Sequence, residues 1–116
     1  MVVLGASANP ERYSYKAVRR LVSNRYDVVA IGKQKGFIGK IPVITEQVPL
    51  SNVHTVLIYV APINQSSIVD YVLSLRPKRV IFNPGTESPE FEDLLESYDV
   101  KVVHECSLVM IAMGRF

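Results

Sequence analysis

Five short runs in this chain are apolar along their length, where a half-exposed strand would alternate apolar and polar residues. They are Val2-Val3-Leu4-Gly5, the segment 27–32 around Val28-Val29-Ala30-Ile31, Thr55-Val56-Leu57-Ile58-Tyr59-Val60, the segment 79–83 around Val80-Ile81-Phe82, and the segment 100–104 around Val102-Val103. A strand facing water on one side cannot carry such a run. Strands of this kind belong to parallel sheets covered on both faces. Parallel neighbours need a crossover, so the segments between the runs decide the architecture.

Those segments have helical spacing. From Ser14 to Asn24, Ala17, Val18, Leu21 and Val22 fall on one side and Lys16, Arg19, Arg20 and Ser23 largely on the other, with Asn24 as the stop signal. Asn64 is placed to cap a helix from about Gln65 to Leu75, which packs through Ile68, Val69, Val72 and Leu75. A third helix is expected from Pro89 to Ser97, with Phe91, Leu94 and Leu95 inward, and a closing helical turn from Leu108 to Met113. Lys33 to Lys40, with two glycines and three lysines, is expected to be loop, and Ile41-Pro42-Val43-Ile44 a short edge strand where proline is tolerated. Strand–helix alternation with right-handed crossovers predicts a three-layer, doubly wound (Rossmann-like) α/β fold. Its parallel sheet should have five or six strands in the order 3-2-1-4-5, in a single domain spanning residues 1–116.

At 116 residues, 48% of them apolar, the chain has room for one core that needs neither disulfides nor metal. The single cysteine, Cys106, excludes an internal disulfide and fits a reducing compartment. The apolar N-terminus stops too soon for a signal peptide, and no window approaches the roughly 20 apolar residues that cross a bilayer. A cytoplasmic protein without membrane contact is expected. A net charge of +2 suits a small anionic ligand, and without a clustered basic face it gives no case for nucleic acid.

In an open parallel sheet, ligands bind beyond the carboxyl ends of the strands, where the strand order reverses. That point should lie between the first strand and the one ending at Val60. Four loops should meet there: Gly5 to Tyr13, Gly32 to Gly36, Ala61 to Asn64, and Asn83 to Thr86. In the first loop, Gly5 permits a tight turn, and the small Ala6, Ser7 and Ala8 let a ligand approach the backbone. Free amides at the start of the next helix favour a phosphate, Arg12 adds a bidentate cation, and Asn9, Tyr13 and Ser14 line the same turn. The plainer alternative is an ordinary strand–helix turn, with Ser14 capping the helix and Arg12 solvated.

The loop is not G-x-G-x-x-G, because Ser7 stands at the second glycine position and Pro10 at the third. A dinucleotide site also places an acid at the end of strand two to hold the ribose diol. Here that strand ends Ile31-Gly32-Lys33, and Lys33 and Lys35 would attract a sugar phosphate. NAD is disfavoured, which leaves NADP or coenzyme A.

Together these stretches resemble the small CoA-binding protein family, whose domain is similar to the N-terminal domain of the succinyl-CoA synthetase alpha subunit. The matching residues are Gly5 through Tyr15, Val29-Ala30-Ile31-Gly32-Lys33, Val60-Ala61-Pro62, Asn83-Pro84-Gly85-Thr86-Glu87 and His104-Glu105-Cys106, spread over nearly the whole chain. The resemblance implies that pyrophosphate meets amides and side chains from Ala6 to Ser14, with Arg12 prominent. It implies adenosine near Gly32, Lys33 and Lys35, an apolar wall at Ala61-Pro62, and a pantetheine path bordered by Asn64, Pro84 and Gly85. Two departures stand out. Many members have an extra helix before the first strand, and many end strand two in Asn-Pro. No stretch matches the synthetase domain that carries a phosphorylated histidine, so ligase activity is not implied.

Cys106 is the one candidate for catalysis, because His104 lies two residues before it and could face the same side. The alternative is a small buried thiol beside a strand-end histidine, with no Asp or Asn evidently placed to orient His104. No metal site is expected, since His54 starts its strand and His104 ends its own. Glu87, Glu90, Glu92 and Asp93 read as a solvated acidic first turn. Taken with the resemblance, the residues favour a non-catalytic binder of CoA or acyl-CoA acting as carrier, sensor or subunit. The alternatives are an NADP-linked or Cys106-dependent thiol-disulfide enzyme, and an interaction module with a vestigial pocket. Phe37, Ile38 and the Ile111-to-Phe116 tail are candidates either for a homodimer surface or for completing the core.

Overall fold

The computed structural model describes all 116 residues. The strands are β1 (Val2–Leu4), β2 (Val29–Ile31), β3 (Gly36–Ile38), β4 (Ile41–Ile44), β5 (Thr55–Ile58), β6 (Arg79–Phe82) and β7 (Lys101–Val103). The helices are α1 (Tyr13–Ser23), α2 (Val69–Leu75), α3 (Pro89–Ser97) and α4 (Ser107–Ala112), with a 3-10 helix at Pro62–Ser67. No helix is long and apolar enough to cross a membrane.

The sheet has seven strands in the order β3-β4-β2-β1-β5-β6-β7, which corrects the expected five or six strands and the order 3-2-1-4-5. The added strand comes from the stretch expected to be loop. Gly36-Phe37-Ile38 turns back on β4 as an antiparallel edge pair, while every other pairing in the sheet is parallel. The α/β class stands, with the strand order reversing at β1, between β2 and β5.

Strict alternation sends neighbouring residues to opposite layers. Val2, Leu4, Ile58, Val80 and Phe82 pack with Ile68, Val72, Phe91 and Leu95 under α2 and α3. Val3, Ala30, Leu57 and Ile81 pack with Val18, Leu21 and Met110 under α1 and α4. Ile38 completes that second cluster and is buried, and Ile111 and Phe116 pack against it. Phe37 and Met113 remain exposed.

The expected helix from Gln65 to Leu75, capped by Asn64, is also corrected. The segment is broken at Ile68 (φ −115°, ψ −10°), and Asn64 lies inside the 3-10 helix, where its carbonyl accepts the Ser67 hydroxyl. Within this 3-10 winding Gln65 faces inward and bonds the loops on either side of it. On α3, Leu94 is exposed and Glu92 is buried, the reverse of the sequence expectation.

Candidate functional site

The carboxyl ends of β1, β2, β5 and β6 deliver the four loops to one edge of the sheet, and close backbone packing joins the first two. Gly5 adopts φ +85°, and a Cβ there would lie 2.7 Å from the Tyr59 carbonyl group. The Gly5 and Ala6 amides both donate to the Ile31 carbonyl at 3.0 Å. A Cβ on Gly32 would sit 2.0 Å from the Ala6 carbonyl oxygen, and one on Gly36 would sit 2.7 Å from Ala8 Cβ. The first loop therefore rests directly on the end of β2 and the start of β3.

Beyond Ala6 the turn is set by its own side chains. Ser7 Oγ accepts the Asn9 amide at 3.1 Å and Asn9 Oδ1 accepts the Glu11 amide at 3.0 Å, two successive local turns that steer the chain into α1. The helix opens at Arg12 with no capping side chain, so Ser14 does not act as the cap. The first helical amides, of Tyr13, Ser14 and Tyr15, reach no acceptor in the protein. Arg12, Lys33 and Lys35 are exposed and form no ion pair; the protein's two ion pairs are His104–Glu92 and Arg115–Glu105. Tyr13 lies exposed at the same turn with the Lys16 ammonium 5.4 Å from its ring centre. Exposed cations, unspent amides and the positive end of the helix dipole coincide here.

The loops after β5 and β6 are tied together by two buried amides. Gln65 Nε2 donates to the Val60 carbonyl at 2.9 Å and to the Thr86 carbonyl at 2.6 Å. Two carbonyl acceptors fix the amide's orientation, so Gln65 Oε1 faces away from both and is left buried without a partner. Asn83 Nδ2 donates to the Ile58 carbonyl at 3.1 Å, and its Oδ1 accepts the Ser107 amide at 2.8 Å, which anchors the start of α4 over the end of β6. The Asn83 carbonyl accepts the Thr86 amide and hydroxyl. Ala61, Pro62, Asn64, Pro84 and Gly85 lie exposed on these two turns.

The segment after β7 passes from one helical layer to the other. His104 Nε2 pairs with Glu92 Oε1, Glu92 Oε2 accepts the Ser88 amide at 2.8 Å, and the imidazole packs edge-on to Phe82. The expected solvated acidic turn is thus corrected at Glu92, which is buried and bonded twice. It is also the orienting carboxylate for His104 that the sequence did not disclose. The Glu87 carboxylate is held below its ordinary range, first by its own backbone amide, with the Gly85 amide, the nearby His104 charge and the Thr86 amide acting the same way against its desolvation. His104 belongs to the α3 layer, whereas Cys106 opens α4 in the other layer, so no built thiol–imidazole pair faces one side. Tyr59, on that same α4 side, has its hydroxyl near Ser107 and Cys106. Burial pushes its pKa up, the neighbouring Ser107 hydroxyl opposes the shift, and Cys106 adds to it. The two hydroxyls lie close enough to interact with each other, without the geometry of a full hydrogen bond, and neither has another partner.

A cavity of about 340 Å³ lies beside the second loop and not over the first. It is lined by Lys35, Gly36, Phe37, by Pro42, Val43 and Ile44 of β4, and by Thr45, Glu46 and Val48 after it.

Sequence reasoning alone passed over Gln65, Tyr59, Ser107 and Glu92. Gln65 bonds carbonyls 5 and 21 residues away, the Ser107 amide an acceptor 24 residues away, and Glu92 pairs with a histidine 12 residues on, across loops that no periodicity relates. Only the Asn83-Pro84-Gly85 turn carried a local signal.

Known structures share this architecture. A crystal structure of an uncharacterized protein superposes with a TM-score of 0.96 at 42% identity, covering 99% of this chain and 95% of that one. A protein from Thermus thermophilus superposes at 0.84 with 24% identity, covering 99% and 88% of the two chains. A hypothetical protein from Pyrococcus horikoshii OT3 gives 0.85 with 21% identity over 97% and 80%. At those lower identities the likeness is one of fold. No curated protein matches the chain. The family model described as CoA binding domain matches residues 1–112, nearly the full length, and the chain belongs to that family.

Proposed function

We propose that this protein binds coenzyme A or an acyl-CoA at the carboxyl edge of its sheet, as a cytoplasmic carrier, sensor or subunit and not as a catalyst. One observation carries the reading: α1 opens with three unspent amides and no capping side chain, beside the unpaired guanidinium of Arg12. A pyrophosphate is the complement of that arrangement, since it offers several anionic oxygens to donors that are already oriented. Ser7, Asn9, Tyr13 and Ser14 shape the seat, and Gly5 and Ala6 let the ligand meet the backbone.

Because Gly32 and Gly36 bring the second loop into contact with the first, an adenosine portion continuing from the seat runs toward Lys33, Lys35 and the cavity beside them. The two lysines then meet the 3′-phosphate. Ala61 and Pro62 form an apolar wall, and Asn64, Pro84 and Gly85 border the pantetheine arm. The seat's own side chains hold no nucleophile with a base beside it, which supports binding over chemistry.

A calorimetric titration with CoA, acetyl-CoA, 3′-dephospho-CoA, NADPH and NAD tests the proposal. CoA and acetyl-CoA should bind alike, dephospho-CoA more weakly, and NAD not at all. NADPH binding more tightly than CoA, or no heat with CoA, overturns it.

A further inference from the structure

Beyond the strand ends, a single side chain joins the loop after β5 to the loop after β6. At the base of the two loops, the Asn83 amide and Nδ2 reach the Ile58 carbonyl and extend the sheet's own pairing. Further out, Gln65 Nε2 donates to the Val60 carbonyl at 2.9 Å and to the Thr86 carbonyl at 2.6 Å. No other hydrogen bond connects the segment 60–67 to the segment 84–88. Each loop is otherwise closed on itself. The Asn83 carbonyl accepts both the amide and the hydroxyl of Thr86, so the Thr86 carbonyl is the group that turn offers across the gap. The Ala61 carbonyl accepts the Asn64 amide at 2.9 Å within the 3-10 helix that carries Gln65.

Burial sets Gln65 apart from its neighbours. Ala61 to Asn64 before it, Ser66 and Ser67 after it, and Pro84 and Gly85 opposite are all exposed, whereas Gln65 is 3% exposed. Its Oε1 is buried without a partner, a cost that offsets part of what the two donor bonds contribute. Net stability is therefore a poor account of this residue, and the geometry it imposes is a better one. One nitrogen bonded to two carbonyls fixes how far apart two exposed turns stand.

We infer that Gln65 is the positioning residue for the pantetheine arm of the ligand. The inference rests on the CoA-binding reading above, in which Ala61 and Pro62 on one turn and Pro84 and Gly85 on the other border that arm. With the gap set in advance, the arm enters without first ordering either turn, and a ligand that lacks the arm draws no benefit from it. The phosphate seat is held separately. The Gly5 and Ala6 amides bond the Ile31 carbonyl, and Ala6 packs on Gly32, with no part played by Gln65. Gln65 thus favours CoA over the same nucleotide stripped of its pantetheine, without touching a phosphate.

Calorimetric titration of the full-length protein and of Gln65→Met with CoA and with adenosine 3′,5′-bisphosphate tests the assignment. Methionine keeps the length of the side chain and removes both donors. The substitution should weaken CoA binding about ten-fold and leave bisphosphate binding within a factor of about two. A glutamine that served only the fold would weaken both ligands alike. An equal loss for both, or no loss for CoA, in a variant whose circular dichroism matches the parent's overturns the role. Should Gln65→Met fail to fold, the parent protein decides. In a nitrogen-15-labelled sample, CoA should slow solvent exchange of the Gln65 side-chain amide, assigned against Gln34→Ala and Gln47→Ala, and the bisphosphate should leave it unchanged; equal effects overturn the inference. The parent titration separates this role from the function beneath it. Bisphosphate binding as tightly as CoA removes the arm's site alone, whereas no binding of either ligand removes the nucleotide reading as well.

Discussion

Replacing Gly32 by alanine is the sharpest probe of how the first loop is held. The new Cβ would lie 2.0 Å from the Ala6 carbonyl oxygen, 3.0 Å from its carbon and 3.2 Å from Val43 Cγ1. The first distance falls more than about 1 Å short of a relaxed non-bonded contact. The obstacle is backbone, which cannot rotate aside as a side chain would. Either the loop lifts off β2 or β2 yields, and β2 is fixed between β1 and β4. Lifting the loop weakens the paired bonds from the Gly5 and Ala6 amides to the Ile31 carbonyl. Overpacking of this kind costs about 1–3 kcal/mol, and each weakened hydrogen bond adds roughly 0.5–1.5 kcal/mol. A destabilisation of about 2–6 kcal/mol is expected. It should appear in urea unfolding as a lower midpoint with an unchanged slope, together with weakened CoA binding in calorimetry. Gly36→Ala, where the neighbour is only the Ala8 side chain at 2.7 Å, should cost less. If Gly32→Ala unfolds within about 0.5 kcal/mol of the parent, the loop does not rest on β2 as described.

Arg12→Ala should weaken CoA binding by about 1.5–3 kcal/mol, the range for hydrogen bonds to charged groups, and leave urea stability within about 0.5 kcal/mol because the side chain is exposed; calorimetry that shows unchanged affinity places the pyrophosphate elsewhere. Asn83→Ala should destabilise by roughly 2–5 kcal/mol, since the Ile58 carbonyl loses its side-chain donor and the Ser107 amide its acceptor in a buried setting, a loss measured by urea unfolding and contradicted by a value under about 1 kcal/mol. His54 should titrate below 6.5 in an NMR pH series, chiefly from desolvation and then from the charges of Arg79 and Lys78. With the folded value below the unfolded one, its contribution to stability is whole above about 6.5 and fades as pH falls through the lowered value; a midpoint at or above 6.5 reverses that sign.

The parallel core was legible because burial on both faces leaves an uninterrupted apolar run, as in Val56-Leu57-Ile58. The edge was not. Gly36-Phe37-Ile38 holds a single buried side chain between lysines and glycines, and only pairing with β4 makes it a strand. Glu92 was hidden by its company, since four acids near one helix start read as a solvated turn until tertiary packing turns one of them inward to Ser88 and His104. The first loop was legible as a place to bind, since Gly5 and its small neighbours imply close approach. That Gly32 exists to admit Ala6 was not legible, because the contact is between backbones 26 residues apart. Of the residues named for the site, Gly5, Ala6 and Gly32 have demonstrable packing reasons for their identity. Arg12, Lys33 and Lys35 have none within the protein, which is why ligand titration is the measurement that bears on them.

The two ends of the sheet differ in a way that stability alone does not explain. At the amino end, the polar groups are spent on one another. Thr55 Oγ1 meets both His54 Nδ1 and Arg79 Nε, Arg79 Nη2 reaches the Phe116 carbonyl, and the N-terminal ammonium donates to the Asp27 carbonyl. At the carboxyl end the same chain leaves the Gln65 amide oxygen buried and unmatched, at a cost of roughly 1–3 kcal/mol, and the Tyr59 and Ser107 hydroxyls with no partner but each other. Apolar replacements of similar shape would remove that penalty. A chain under selection for stability alone would therefore have no use for Tyr59 over phenylalanine or for Ser107 over alanine. Their presence at the edge where the loops converge is what a binding function predicts. It follows that Tyr59→Phe should stabilise the free protein or leave it unchanged while impairing whatever the hydroxyl serves, and a hydroxyl that mattered only to folding would show the opposite.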